Sequence, residues 1–158
     1  MKKQILDACC GGRMMWFDKK NPKAIFLDKR KKKKGTVPSQ KGWSIEPDVV
    51  GDFRSMPFKD ETFSLVVFDP PHILRKREEL SKFTMQYGSL DPDTWKDDIR
   101  AGFNEGLRVL KVNGVLIFKW SQADIDLKEV LDILPEKPLF GHPTGKIGKT
   151  IWMCFMKF

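Results

Sequence analysis

The 158-residue sequence predicts an α/β fold around a mostly parallel sheet, on three observations. Short apolar runs alternate with longer mixed stretches, the rhythm of strands separated by helices and loops. Four of those runs end at or just before an aspartate: Asp7, Asp28, Asp52 and Asp69. The run Ser64-Leu65-Val66-Val67-Phe68 lacks the polar alternation of a half-exposed strand, as suits a central parallel strand covered on both faces.

Residues 4–8 read as the first strand, ending at the turn Cys9-Cys10-Gly11-Gly12, and Ala24–Asp28 as the second. The stretch 13–23 between them holds at most a short helix, interrupted by Asn21-Pro22. Residues 48–50 form a short third strand before Gly51-Asp52, and 64–68 a fourth, closed by Asp69-Pro70-Pro71-His72. The polar stretch 73–93 carries no period that assigns it. Thr94 is a candidate N-cap for a helix with Trp95, Ile99, Phe103, Leu107 and Leu110 on one face. Gly114 turns the chain into a fifth strand at 115–118, and 125–134 reads as a further helix stopped by Pro135. Residues 138–140 and 149–158 complete seven strands as a C-terminal antiparallel hairpin, with helices on both faces of the sheet.

Composition narrows the class. An apolar fraction of 41% supports one core, and with 32% charged residues it excludes a disordered tail, a coiled coil and a collagen-like repeat. Lys and Arg total 29 against 21 Asp and Glu, a net charge of +8 that favours an anionic partner. Three cysteines, with Cys9 and Cys10 adjacent and Cys154 distant, fit a reducing compartment better than a disulfide framework. Adjacent cysteines also lack the spacing of a metal knuckle, so no metal is expected. The N-terminal stretch reaches Asp7 too soon for a secretory signal, and no apolar run approaches a membrane span. The expectation is a cytoplasmic single domain over 1–158 with no membrane partner.

In an open parallel sheet, ligands bind beyond the carboxyl ends of the strands. Four carboxylates along that edge repel one another unless they hold donors. A nucleoside supplies donors as ribose hydroxyls and an exocyclic amine, and a methionyl group adds a cation. Gly11-Gly12 allows the backbone to approach such a ligand closely.

In order and spacing these segments resemble the class I S-adenosylmethionine-dependent methyltransferases, over nearly the whole chain, and the resemblance implies a Rossmann-like sheet. Asp7-Ala8-Cys9-Cys10-Gly11-Gly12 is similar to the loop beneath the methionine part of the cofactor. Asp28 matches the acid that binds both ribose hydroxyls. The stretch 51–63 resembles the run from the adenine-binding acid into the fourth strand. That match implies Asp52 accepting from the adenine amine and Phe53 packing on its ring, with Asp69 also bordering the cofactor. The sequence departs from the family at Cys9 and Arg13, where further glycines are usual, and in its trimmed first helix. An ordinary doubly wound domain whose strand-end acids cap helices is the alternative. The resemblance is to small phage and prophage enzymes, with no separate target-recognition domain.

Asp69-Pro70-Pro71-His72 resembles the Asp-Pro-Pro-Tyr motif of enzymes that methylate exocyclic amines of adenine or cytosine, which implies these four as catalytic residues. Such an amine is a poor nucleophile because its lone pair is delocalised into the ring. The Asp carboxylate and the carbonyl beside the first proline each accept one amine hydrogen, and the prolines hold these acceptors ready. The fourth residue stacks on the base; a neutral His72 can also act as a base. A similar Pro-Pro turn serves protein amides, so RNA, a protein amide or a small amine are alternative acceptors. A non-catalytic nucleic-acid-binding module is a further alternative.

The basic residues Lys31, Lys32, Lys33, Arg75, Lys76, Arg77 and Lys146 all follow strand ends on the same edge as the expected cofactor. They are candidate phosphate contacts, and the expected partner is nucleic acid, with DNA foremost. Lys119-Trp120 follows the fifth strand beside the acceptor site. Trp120 and Tyr87 are candidates for stacking or for the core, and Trp95 for the core.

Overall fold

The computed structural model describes residues 3–36, 41–76, 81–144 and 149–158. Its strands are β1 (Ile5–Asp7), β2 (Ala24–Asp28), β3 (Val49–Val50), β4 (Phe63–Phe68), β5 (Leu110–Ser121), β6 (Phe140–Thr144) and β7 (Thr150–Met156). They form one sheet in the order β3-β2-β1-β4-β5-β7-β6. β1 to β5 are parallel, and β7 runs antiparallel to both β5 and β6. This is the mostly parallel sheet with an antiparallel C-terminal pair that the sequence predicts. Because β1 lies between β2 and β4, the chain leaves the centre of the sheet in two directions. The crevice at such a switch point opens beyond Asp7 and Asp69.

The helices are α1 (Lys82–Tyr87), α2 (Trp95–Val109) and α3 (Leu127–Ile133). α2 packs on β4, β5 and α3 through Trp95, Ile99, Phe103 and Val109. Gly106 lets it lie close, since a Cβ there would stand 2.8 Å from Leu116 Cδ1. A chain of aromatic contacts fills the layer below: Phe68–Phe118 at 5.1 Å between centroids, Phe118–Trp120 at 5.9 Å and Phe103–Phe155 at 4.8 Å. Each fully buried ring contributes about 1.5–3 kcal/mol.

Several elements differ from expectation. Residues 13–23 form turns, not a helix, because Asp18 and Asn21 take the backbone N–H groups of Lys20 and Lys23 on their own side chains. This loop covers β1 and β2 with Trp16, 4.9 Å from the Phe26 ring, and with the Arg13 guanidinium 3.8 Å above the same ring. β5 begins at Leu110, directly after α2, and passes a left-handed Asn113 at φ 62° where its register against β4 shifts. β6 lies further along than residues 138–140 and includes Pro143, which the edge position tolerates. The unassigned 73–93 stretch holds α1, started by a reciprocal Ser81–Thr84 cap and ended at Gly88 with φ 79°. No helix among the described residues is long and apolar enough to cross a membrane.

Candidate active site

Two adjoining clefts open at the carboxyl ends of β1, β2 and β4. The larger, about 140 Å³, is bordered by the Cys9-Cys10-Gly11-Gly12 turn, by Asp69-Pro70-Pro71-His72 with Lys119, by Met14, Met15 and Trp43, and by Arg30, Gln86 and Tyr87. The narrower, about 40 Å³, has Ala8, Asp28, Lys29, Phe53, Gly88 and Ser89 on its walls. Cys9, Arg30, Asp69, Pro71 and Tyr87 belong to both. Gly11, at φ 47°, carries the turn through a conformation that favours glycine.

The four strand-end acids are all held. Asp7 is fully buried and lines neither cleft; its Oδ2 accepts from Trp16 Nε1 at 2.7 Å and its Oδ1 from the Cys9 N–H at 3.3 Å. Burial pushes its carboxyl up to about 7, against the lowering by these two bonds, and repulsion from Asp69 and Asp28 adds to the rise. Burial also pushes the Cys9 and Cys10 thiols up, reinforced by Asp28 and Asp7, so both stay protonated at neutral pH.

Asp28 and Asp52 share one local device. In each, the backbone N–H two residues on donates to Oδ1, and that residue's guanidinium closes a fork on both oxygens. Arg30 donates from N at 2.9 Å, Nε at 3.0 Å and Nη2 at 3.1 Å to Asp28. Arg54 donates from the same atoms at 2.9, 3.0 and 2.7 Å to Asp52. Asp28 also receives the Gly11 N–H on Oδ2 at 3.0 Å, which fills all four of its acceptor positions. Asp52 stands outside both clefts, paired through Arg54 with Asp98 at 2.8 Å. Burial raises the Asp52 carboxyl, but the Arg54 bonds outweigh it and hold the group below its ordinary range. Phe53 is buried, with its ring 5.5 Å from Phe68, and presents itself to the narrow cleft beside Asp28.

Asp69 and His72 meet in the larger cleft. Lys119 Nζ on β5 donates to Asp69 Oδ2 at 2.7 Å. Burial raises the Asp69 carboxyl, opposed chiefly by the Lys119 charge and hydrogen bond and by His72. Burial likewise lowers His72, with Asp69 pulling the other way, so the imidazole is neutral at pH 7. Its ring meets Trp120 edge-on at 6.3 Å. Pro70 is buried, and Pro71 borders both clefts.

The basic candidates scatter more. Lys31 and Lys33 are exposed, whereas Lys32 is half-buried and bridges Ile45 through its backbone. Arg75 pairs with Asp124 at 3.1 Å, and Lys76 is exposed. Arg77 and Lys146 lie outside the described residues. Trp120 is core, with its Nε1 donating to the Ile125 carbonyl at 3.1 Å, and Trp95 is core as expected. Tyr87 borders both clefts. Sequence reasoning missed Arg30 and Arg54, although the repeated pattern of an aspartate with an arginine two residues on was there to read. It also missed Trp43, Met14 and Met15, which carry no such signal.

No protein-family model matches the chain, and no curated protein matches it significantly. Solved structures do. A SAM-dependent methyltransferase from Methanosarcina mazei superposes with a TM-score of 0.56 at 11% identity, over 100% of this chain and 94% of that one. An rRNA methylase from Streptococcus thermophilus gives 0.53 at 12% identity, over 99% and 89%. The N-methyltransferase NodS from Bradyrhizobium japonicum, solved with S-adenosyl-L-homocysteine, gives 0.52 at 15% identity, over 98% and 76%. At these identities the likeness is one of fold: the chain shares the Rossmann-like, seven-stranded architecture of these methyltransferases.

Proposed function

We propose that the protein is an S-adenosylmethionine-dependent methyltransferase acting on an exocyclic amine of adenine or cytosine in nucleic acid. The observation that carries this reading is the junction of the two clefts, where Asp69-Pro70-Pro71-His72 stands beside the turn at Cys9–Gly11 and lends Asp69 and Pro71 to the wall of the Asp28 cleft.

The residues present fit the cofactor, on one condition. The two hydroxyls of a ribose match the two bonds that the Arg30 guanidinium makes to Asp28, one on each oxygen, so they fit once that guanidinium swings aside. Phe53 borders the same space and offers a ring face or edge to a base. Asp52 keeps one acceptor position on Oδ2 for an amine, although Asp52 would have to reach the ligand from outside the cleft as it stands. When bound, the cofactor supplies a sulfonium-activated methyl group.

The protein's part is to prepare the acceptor. Asp69, with Oδ2 on Lys119, offers Oδ1 to one amine hydrogen, and a backbone carbonyl of the Pro-Pro turn takes the other. This lets the nitrogen rehybridise and aim its lone pair at the methyl group. Lys119 favours the ionised form of Asp69 in a site whose burial opposes it. The amine loses one proton on transfer, and the neutral His72 on the same cleft wall can accept it. The protonated Cys9 and Cys10 thiols are poor nucleophiles, which speaks against attack on a pyrimidine carbon.

The test is transfer of labelled methyl from S-adenosylmethionine to unmethylated genomic DNA and to total RNA, followed by nucleoside analysis. Label is expected in N6-methyladenine or N4-methylcytosine. Asp69→Ala is expected to cut transfer by about 1,000-fold with cofactor affinity nearly unchanged. Cofactor binding with label only in protein or small amines would overturn the nucleobase assignment.

A further inference from the structure

We propose that the acceptor is held as a single-stranded polynucleotide, between a basic hollow at Lys19, Lys20 and Lys34 and an aromatic shelf at Phe83 and Tyr87, with the larger cleft between them. The proposal rests on the methyltransferase reading and adds the strand state of its substrate.

The hollow, about 300 Å³, lies against Gly11 and Gly12, which also border the larger cleft. Four cations line it against the single carboxylate of Glu46. Arg13 is committed to the structure, donating to the carbonyls of Lys19 and Glu46 and pairing with Asp48 at 3.3 Å. Lys19, Lys20 and Lys34 are exposed and shape a surface for phosphates rather than a fold contact. Trp43 lies over Gly12, where a Cβ would come 2.7 Å from its Nε1, and so forms part of the wall between hollow and cleft.

The shelf lies on the α1 side of the cleft. Phe83 and Tyr87 are one helical turn apart and stack at 27° with centroids 6.2 Å apart, yet they are 65% and 42% exposed. Tyr87 borders both clefts, and its neighbour Gln86 touches the exposed Met14. Lys29 borders the narrow cleft with Tyr87 and adds a positive charge to that wall. Two rings this exposed, one of them on the cleft wall, suit stacking by unpaired bases, whereas a duplex keeps its base faces covered. Phosphates on the hollow and bases on the shelf place the intervening nucleotide over Asp69. That geometry extrudes a base without the energy of unpairing one.

The experiment is fluorescence anisotropy with a labelled mixed-sequence strand of about 20 nucleotides, as DNA, as RNA and as the DNA duplex, over a range of salt. Single strands are expected to bind at least about tenfold more tightly than the duplex. Phe83→Ala with Tyr87→Ala is expected to weaken single-strand binding by about 10- to 100-fold with the salt slope unchanged. Tryptophan at both positions should restore it. Glutamine at Lys19, Lys20 and Lys34 is expected to make the slope of log affinity on log salt shallower by about 2. Duplex binding as tight as single-strand binding, or alanine variants within twofold of the parent, overturns the proposal. Thermal unfolding of each variant reports folding, and cofactor affinity of the parent, read by calorimetry, separates the two failures. If the cofactor binds and only the duplex is methylated, the strand state is wrong and the enzyme reading stands. If no cofactor binds, the enzyme reading falls while the anisotropy still decides strand preference.

Discussion

The outer and inner strands of the parallel sheet end in the same residue and treat it differently. At the ends of β2 and β3, Asp28 and Asp52 each bring their own cation two positions along the chain. At the ends of β1 and β4, Asp7 and Asp69 sit at the switch point with no such neighbour. One is served by an indole N–H and the other by a lysine 50 residues away on β5. The local forks set a guanidinium across both oxygens of each outer acid. The inner acids have their carboxyls pushed up, mainly by burial, and the Asp69 charge adds to the rise at Asp7. Of the two, Asp69 borders both clefts, and a shifted carboxyl in a cleft marks a candidate reacting centre.

The largest expected effect lies in Asp7, whose carboxyl stands at about 7 in the fold against 3.8 ordinarily. The folded protein therefore holds a proton there that the unfolded chain has lost. Its contribution to stability is full below about pH 4 and fades as pH rises to about 7, a span on the order of 4 kcal/mol. Asp7→Asn keeps an acceptor for Trp16 and removes the titration. Urea unfolding at pH 4.5 and 7.5 should show the parent losing stability relative to the variant as pH rises. Parallel profiles would mean that Asp7 is ionised in the fold, and the contrast between inner and outer acids would break.

Lys119 comes next. Lys119→Met leaves Asp69 buried beside Asp7, Asp28 and the neutral His72 without its cation. In the proposed reaction Asp69 accepts as the carboxylate, so the acid limb of the transfer profile should move to higher pH. Transfer at pH 7 should fall about 100-fold and recover in part by pH 9, with Lys119→Arg retaining the parent limb. An unshifted limb would show that the inner pair does not set the proton inventory of the reaction.

The same contrast explains what was legible in the sequence. The strands and their order of acids could be read because apolar runs and single aspartates are local signals. The forks at Arg30 and Arg54 were equally local and went unread because their function is to answer a charge, not to form an element. The pairing of Asp69 with Lys119 spans 50 residues and depends on β4 and β5 being neighbours. α1 was invisible because its cap is Ser81 with Thr84, not the usual serine with an acid, and because its buried side chains are the polar Thr84 and Gln86 while Phe83 and Tyr87 are exposed. The turns at 13–23 replaced a helix for the converse reason: Asp18 and Asn21 outbid the helix for its own N–H groups.

The smallest expected effect sharpens the comparison between the two forks themselves. Arg54 is anchored on a second carboxylate, Asp98 of α2, and leaves one position on Asp52 Oδ2 open. Among the described residues Arg30 has the Gln86 carbonyl as its second anchor, at 3.3 Å, and with the Gly11 N–H it fills Asp28 completely. Under the proposed cofactor assignment a ribose diol at Asp28 displaces Arg30, whereas an adenine amine at Asp52 need not displace Arg54. Arg30→Ala removes a competitor and leaves the buried Asp28 short of donors until ligand arrives. Cofactor affinity should rise by about 3- to 10-fold while the free protein becomes less stable. Arg54→Ala should gain nothing, because no bond of Arg54 has to break. Calorimetric titration of both variants with S-adenosylmethionine decides it. Weaker binding in Arg30→Ala would mean that the guanidinium stays in place and contacts the ligand, making the β2 fork part of the holding site and not its latch.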